Sequence, residues 1–237
     1  MNSRFAFAHA ALASMAALLP ISSLAMAGPT WDDDYTEDAG ETAATAQVIT
    51  INSPVINIFG RLTGYGFTGT DLVDMYAFTV SSPTLFTLST AGGELGGEAD
   101  FDTQLFLFRR KGGSGSNQRA IALKANDNAA SGLIGSRIGE GAVNSDTILL
   151  TPGVYFVAIT GFGMQAVSDG GKSIWNRLGS DGETLNGNEN VLGEWDGAGA
   201  VGSYTIRLRE IQGFVPAPGA VAVLGLAAIG SRRRRAL

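Results

Sequence analysis

Carboxylates are the residues of this chain best suited to chemistry. Asp32, Asp33, Asp34, Glu37, Asp38 and Glu41 crowd one short segment, and Asp71 and Asp74 follow in a later loop. Calcium takes about six to eight oxygens from such loop carboxylates, amides and carbonyls. Glu94, Glu98, Asp100 and Asp102 form a second group beside a strand start, where two could act as acid and base in a hydrolysis. A third group runs from Asp181 through Glu183 to Glu189 and lacks the residue order of an EF-hand. In each case the plainer reading is a set of solvated turn carboxylates. Lys111, Lys124 and Lys172 could serve a Ser-Lys pair, but none stands in a Ser-x-x-Lys setting.

Absences narrow the chemistry further. The 237 residues include no Cys, so disulfides, thiolate nucleophiles and Cys-ligated metals are excluded. The single histidine, His9, falls in a segment that reads as a cleaved leader. A mature chain without His has no Ser-His-Asp triad and no imidazole base. The expectation is a protein that is not an enzyme.

Both ends read as processing signals. Arg4, the apolar run from Ala6 to Leu19, the helix-breaking Pro20 and the small residues of Ala25-Met26-Ala27 make residues 1–27 a secretory signal peptide. At the other end, Val215-Pro216-Ala217-Pro218-Gly219 precedes an apolar stretch from Ala220 to Ile229, and Arg232, Arg233, Arg234 and Arg235 follow. The apolar stretch can enter a bilayer, the arginine block resists crossing it, and the two prolines keep the approach extended and open to a protease. A plain tail anchor has the same physics.

This three-part tail, residues 214–237, resembles the PEP-CTERM sorting signal, with Ala217 standing where the family's name has Glu. The resemblance implies a transient membrane helix, an exosortase-type processing enzyme as partner, and delivery to the envelope or extracellular matrix. Export through the Sec translocon is implied by the leader.

With the ends set aside, 11 basic residues face 22 acidic ones. A body so acidic repels nucleic acid, and no nucleic-acid partner is expected.

The elements that must position these residues are short strands. Apolar alternation marks 55–62, 74–80, 84–89, 120–123, 147–150, 154–159 and 203–209. Gln104-Leu105-Phe106-Leu107-Phe108 is apolar on both faces and should be central. Turn signals such as Thr151-Pro152-Gly153 separate the runs, and the 33 glycines fit many tight turns. The prediction is an all-β, jelly-roll-like β-sandwich over 47–213, preceded by an acidic segment at 28–46 and flanked by the signal helix and the C-terminal hydrophobic helix. One stretch does not alternate. Residues 161–200 are rich in Gly, Asn and Asp and carry Trp175 and Trp195. They read either as a cover loop with tryptophans pinned in the core, or as a binding loop with aromatic platforms for a ligand.

The ordered set Asp71-Leu72-Val73-Asp74-Met75-Tyr76-Ala77-Phe78, Asp102-Thr103-Gln104-Leu105-Phe106-Leu107, Asn126-Asp127 and Pro152-Gly153-Val154-Tyr155 resembles the bacterial pre-peptidase C-terminal domain, an accessory jelly roll of secreted proteins. The likeness spans roughly residues 35–210 and makes 161–200 an insertion before the last strand. Related domains in collagenases bind calcium where the acidic N-terminal segment meets the Asp pair. The resemblance therefore implies calcium as a cofactor, held by Glu37, Asp38, Asp71 and Asp74. Together these readings predict an exported, non-catalytic envelope or matrix protein, structural or adhesive, meeting extracellular polysaccharide or a matrix protein. The rivals are a carboxylate-based secreted hydrolase and an accessory domain of a secreted protease system.

Overall fold

The computed structural model describes residues 39–49, 55–64, 70–93, 96–113, 117–139, 148–176, 184–185 and 190–209. The leader, Glu37 and Asp38, the sorting motif at 215–219, the hydrophobic segment and Arg232 to Arg235 lie outside them. The chain order is β1 (Gln47–Val48), β2 (Val55–Leu62), β3 (Val73–Val80), β4 (Thr84–Ser89), β5 (Glu98–Ala99), β6 (Thr103–Lys111), β7 (Arg119–Asn126) and β8 (Arg137–Ile138). It continues through β9 (Ile148–Leu150), β10 (Gly153–Gly161), β11 (Gln165–Ser168), β12 (Trp175–Asn176), β13 (Thr184–Leu185), β14 (Leu192–Asp196) and β15 (Gly202–Arg209). No helix among the described residues is long and apolar enough to cross a membrane.

Two sheets face each other as a β-sandwich. One has the order β1-β3-β10-β6-β7; the other runs β2-β15-β4-β8, with β5 added to β15 and β9 to β4. Apart from the parallel β1–β3 pair, the pairings are antiparallel. Period-two alternation decides what each strand gives to the space between them. Tyr76, Phe78 and Val80 of β3, Leu105 and Leu107 of β6, and Tyr155, Val157 and Ile159 of β10 meet Ile56, Ile58, Phe86, Leu88, Tyr204, Ile206 and Leu208 of the other sheet. The Phe78 ring stacks on Phe86 across the interface at 5.5 Å and on Tyr155 at 5.8 Å.

The other face of the five-stranded sheet is also apolar, and it too is covered. Met75, Ala77, Phe106, Phe108, Phe156 and Ala158 point away from the first core into a second one. The 161–200 stretch supplies the lid. It is not a single irregular loop: β11 pairs with β14 and β12 pairs with β13. Ala166, Ile174 and Trp175 from this stretch complete the second core, together with Ala43 from the N-terminal segment. Central placement of β6 between β10 and β7 follows from its two apolar faces.

Candidate functional site

The lid is pinned by a four-ring cluster. Phe106 and Phe108 lie two residues apart on β6 and so share a face. Trp175 approaches them at 5.2 and 5.5 Å, and Trp195 at 5.1 and 6.2 Å, with Trp195 edge-on to both. Edge-to-face contacts of this kind add about 0.5–1.5 kcal/mol each beyond area burial. The two tryptophans nevertheless differ in position. Trp175 is 5% exposed, and its indole Nε1 is buried with no hydrogen-bond partner. Trp195 is half-buried, and its Nε1 donates to the Glu41 carbonyl at 2.8 Å.

That bond ties β14 to the N-terminal turn, and a groove of about 210 Å³ runs beside it. Glu41, Thr42, Gln118, Arg119, Glu194 and Trp195 supply its indole and its polar groups. Gly193 forms part of the wall, and a side chain there would strike the backbone of Asp169. The Thr42–Thr45 turn holds the N-terminal wall: the Ala46 N–H donates to the Thr42 carbonyl at 2.8 Å, and the Thr42 N–H donates to Thr45 Oγ1 at 3.1 Å. Arg119 pairs with Asp169 at the rim. Glu41 stood out in the sequence as one of an acidic run, and Glu194 adjoins Trp195. Gln118 and Arg119 carried no signal, because only folding brings the start of β7 beside β14.

The aspartates behave differently from loop ligands. Asp74 is inside β3, facing the inter-sheet core, and is fully buried. Its Oδ2 accepts the Tyr204 hydroxyl at 2.5 Å, and the Tyr204 and Tyr76 oxygens are 2.6 Å apart. Burial, then the Asp74 carboxylate, push the Tyr204 hydroxyl well above the ordinary tyrosine range, so it stays protonated and donates. Asp71 precedes the strand; its Oδ2 accepts the Thr63 N–H at 3.1 Å, and its carbonyl accepts the Gly64 N–H at 2.9 Å. Asp71 and Asp74 each engage one carboxylate oxygen in this way, and Glu37 and Asp38, the other two residues of the calcium reading, lie outside the described residues. No group of three or more His, Cys, Asp or Glu suited to a metal is assembled among the described residues.

Of the second carboxylate group, Glu94 lies outside the described residues. Glu98 sits on β5, and Asp100 and Asp102 border the start of β6. Burial raises the Asp102 carboxyl. Ser136 is fully buried at the same end, its Oγ 2.5 Å and 2.6 Å from the carbonyls of Thr103 and Asp127. The Ser136 N–H donates to Thr90 Oγ1 at 2.9 Å, and the Arg137 N–H donates to Asn126 Oδ1 at 2.8 Å. This cluster bolts the ends of β4, β6 and β7 to β8, which is a structural task.

No family model matches this chain, and no curated protein matches it. Among solved structures it is similar to the pre-peptidase C-terminal domain of collagenase from Bacillus anthracis, at 14% identity and a TM-score of 0.34, over 73% of this chain and 100% of that one.

Proposed function

We propose that this is an exported, non-catalytic adhesive module of the cell envelope or matrix, and that it holds extracellular polysaccharide in the groove beside Trp195. The single observation behind the reading is that groove: a half-buried indole flanked by amide, hydroxyl, carboxylate and guanidinium groups where the lid meets β7 and the N-terminal turn. A sugar ring presents an apolar C–H face and a hydroxyl rim, and this mixture of groups matches it. The acidic body favours a neutral polymer over a polyanionic one. The leader and the PEP-CTERM-like tail supply export, transient anchoring and release by an exosortase-type enzyme in this proposal. Affinity electrophoresis through gels containing a neutral polysaccharide tests it. The full chain is expected to be retarded and Trp195→Ala to migrate freely; equal mobility of the two would refute the groove as the site.

A further inference from the structure

The register of the two sheets sorts charge along the molecule. At one end lie the starts of β3, β6 and β15 and the ends of β7 and β10. Thr160 pairs with Val73, Gly161 with Thr103, and Leu105 with Asn126. Asp71, Asp74, Asp100, Asp102 and Asp127 gather there, and Asp196 joins them through its pairing with Gln165. Arg61, Arg137 and Arg207 are the described cations at this end, the last two paired with Ser89 from either side.

The opposite end reverses the sign. Arg109, Arg110 and Lys111 finish β6 in succession, all exposed, and Lys111 pairs with Arg119 at the start of β7. Arg109 leans over the Tyr155 ring at 5.9 Å and keeps its charge at the surface. Asp169, already paired with Arg119, and Glu41 and Glu194, which line the groove with Arg119, are the carboxylates described beside this cluster.

The last described residue lies toward this basic end. Arg209, the last residue of β15, pairs with Thr87; Phe86 next to it stacks on Phe78, Phe78 stacks on Tyr155, and Tyr155 pairs with Arg109. Arg209 is therefore level with the basic hairpin. Residues 210–237 continue from there and include the apolar run from Ala220 to Ile229.

The geometry points to an interaction surface. While the tail holds the protein at the membrane, the Arg109-Arg110-Lys111 end faces a bilayer of anionic lipid and the aspartate end faces away. The inference rests on the anchoring part of the proposed function. Lys and Arg gain from anionic headgroups only within about 10 Å of the surface, so the hairpin can act where the tail delivers it. The excess of acid elsewhere on the body is repelled, and attraction at one pole with repulsion at the other orients the molecule.

The absence of native cysteine permits single labels. A fluorophore on Ser82→Cys, in the exposed turn between β3 and β4, reports the basic end, and one on Ser131→Cys reports the acidic end. Each full chain is added to phosphatidylcholine vesicles, with or without phosphatidylglycerol, and quenched by a headgroup-labelled lipid. In mixed vesicles the Ser82 probe is expected to be quenched several-fold more than the Ser131 probe. High salt or the exposed-pair variant R110Q/K111Q should bring that ratio toward one. Equal quenching of the two probes in mixed vesicles, or the same ratio without phosphatidylglycerol, would overturn the orientation. A chain that stays with mixed but not with pure phosphatidylcholine vesicles overturns the anchoring reading alone, and one that stays with neither overturns both.

Discussion

The Tyr204 hydroxyl crosses from one sheet to donate to Asp74 on the other at 2.5 Å, inside the core. This places a buried carboxyl group between the layers, with Tyr76 completing the set. Truncating the donor removes one hydrogen bond from this buried carboxyl group. Tyr204→Phe is expected to cost about 1–3 kcal/mol, the range for removing one partner of a buried hydrogen bond. Urea denaturation of Tyr204→Phe, Asp74→Asn and the double variant measures the coupling. Simple additivity of the two single costs would show that the pair does not act as a unit.

Tyr204 also explains a glycine. Gly60 pairs with it across β2 and β15, and a Cβ at Gly60 would collide with the phenol ring and hydroxyl. Gly60→Ala must push Tyr204 off Asp74, so a loss of about 1–3 kcal/mol is expected, as for overpacked core sites. Gly60→Ala made in the Tyr204→Phe background should cost less, since part of the clash is with the hydroxyl. An equal cost in both backgrounds would contradict this origin.

Alkaline pH should weaken the fold through the same residue. The folded-state value of Tyr204 is raised above its ordinary 10.0, so the folded state holds this proton where the unfolded chain releases it. Its contribution is whole below pH 10 and is lost as pH rises above that value. The urea midpoint of the native chain should fall steeply above pH 10, and that of Tyr204→Phe should fall less.

The two tryptophans predict opposite readouts. Trp175 has no hydrogen bond at Nε1 to lose, so Trp175→Phe is expected to cost less than Trp175→Ala, for which about 3–5 kcal/mol is typical. Trp195→Ala gives up one partly buried ring and the bond to Glu41, and should cost less than Trp175→Ala while abolishing retention by polysaccharide. Thermal unfolding and gel retardation of the same samples separate stability from binding.

Calcium should leave the melting temperature unchanged. A native-state ligand raises stability in proportion to the logarithm of its excess over Kd. One oxygen each of Asp71 and Asp74 is taken up by Thr63 and Tyr204. A rise in calcium over chelator, lost in Asp71→Asn, would show a site completed by residues outside those described.

The main strands were legible because their signal is local. Val55–Leu62 and Thr84–Ser89 begin and end where apolar alternation places them, and the two-faced Gln104–Phe108 run lies inside its sheet, between β10 and β7. The lid was not legible. Gln165–Ser168 and Leu192–Asp196 are short, and Gly193 interrupts the second, so neither alternates long enough to stand out. The pairing of β11 with β14 depends on the Phe106–Phe108 face beneath it, which is a tertiary fact. The contact that Asp74 makes was not legible for a related reason. A carboxylate at a strand start reads as a loop ligand until the Tyr204 hydroxyl, 130 residues away, is known to reach it.

The groove at Trp195 is the centre of the functional account, and the three indole N–H resonances of this three-tryptophan chain test it most directly. In a titration with a neutral oligosaccharide followed by NMR, the Trp195 signal is expected to shift saturably while that of the buried Trp175 stays in place. A Trp195 signal that does not move, or a shift confined to Trp175, would contradict the account.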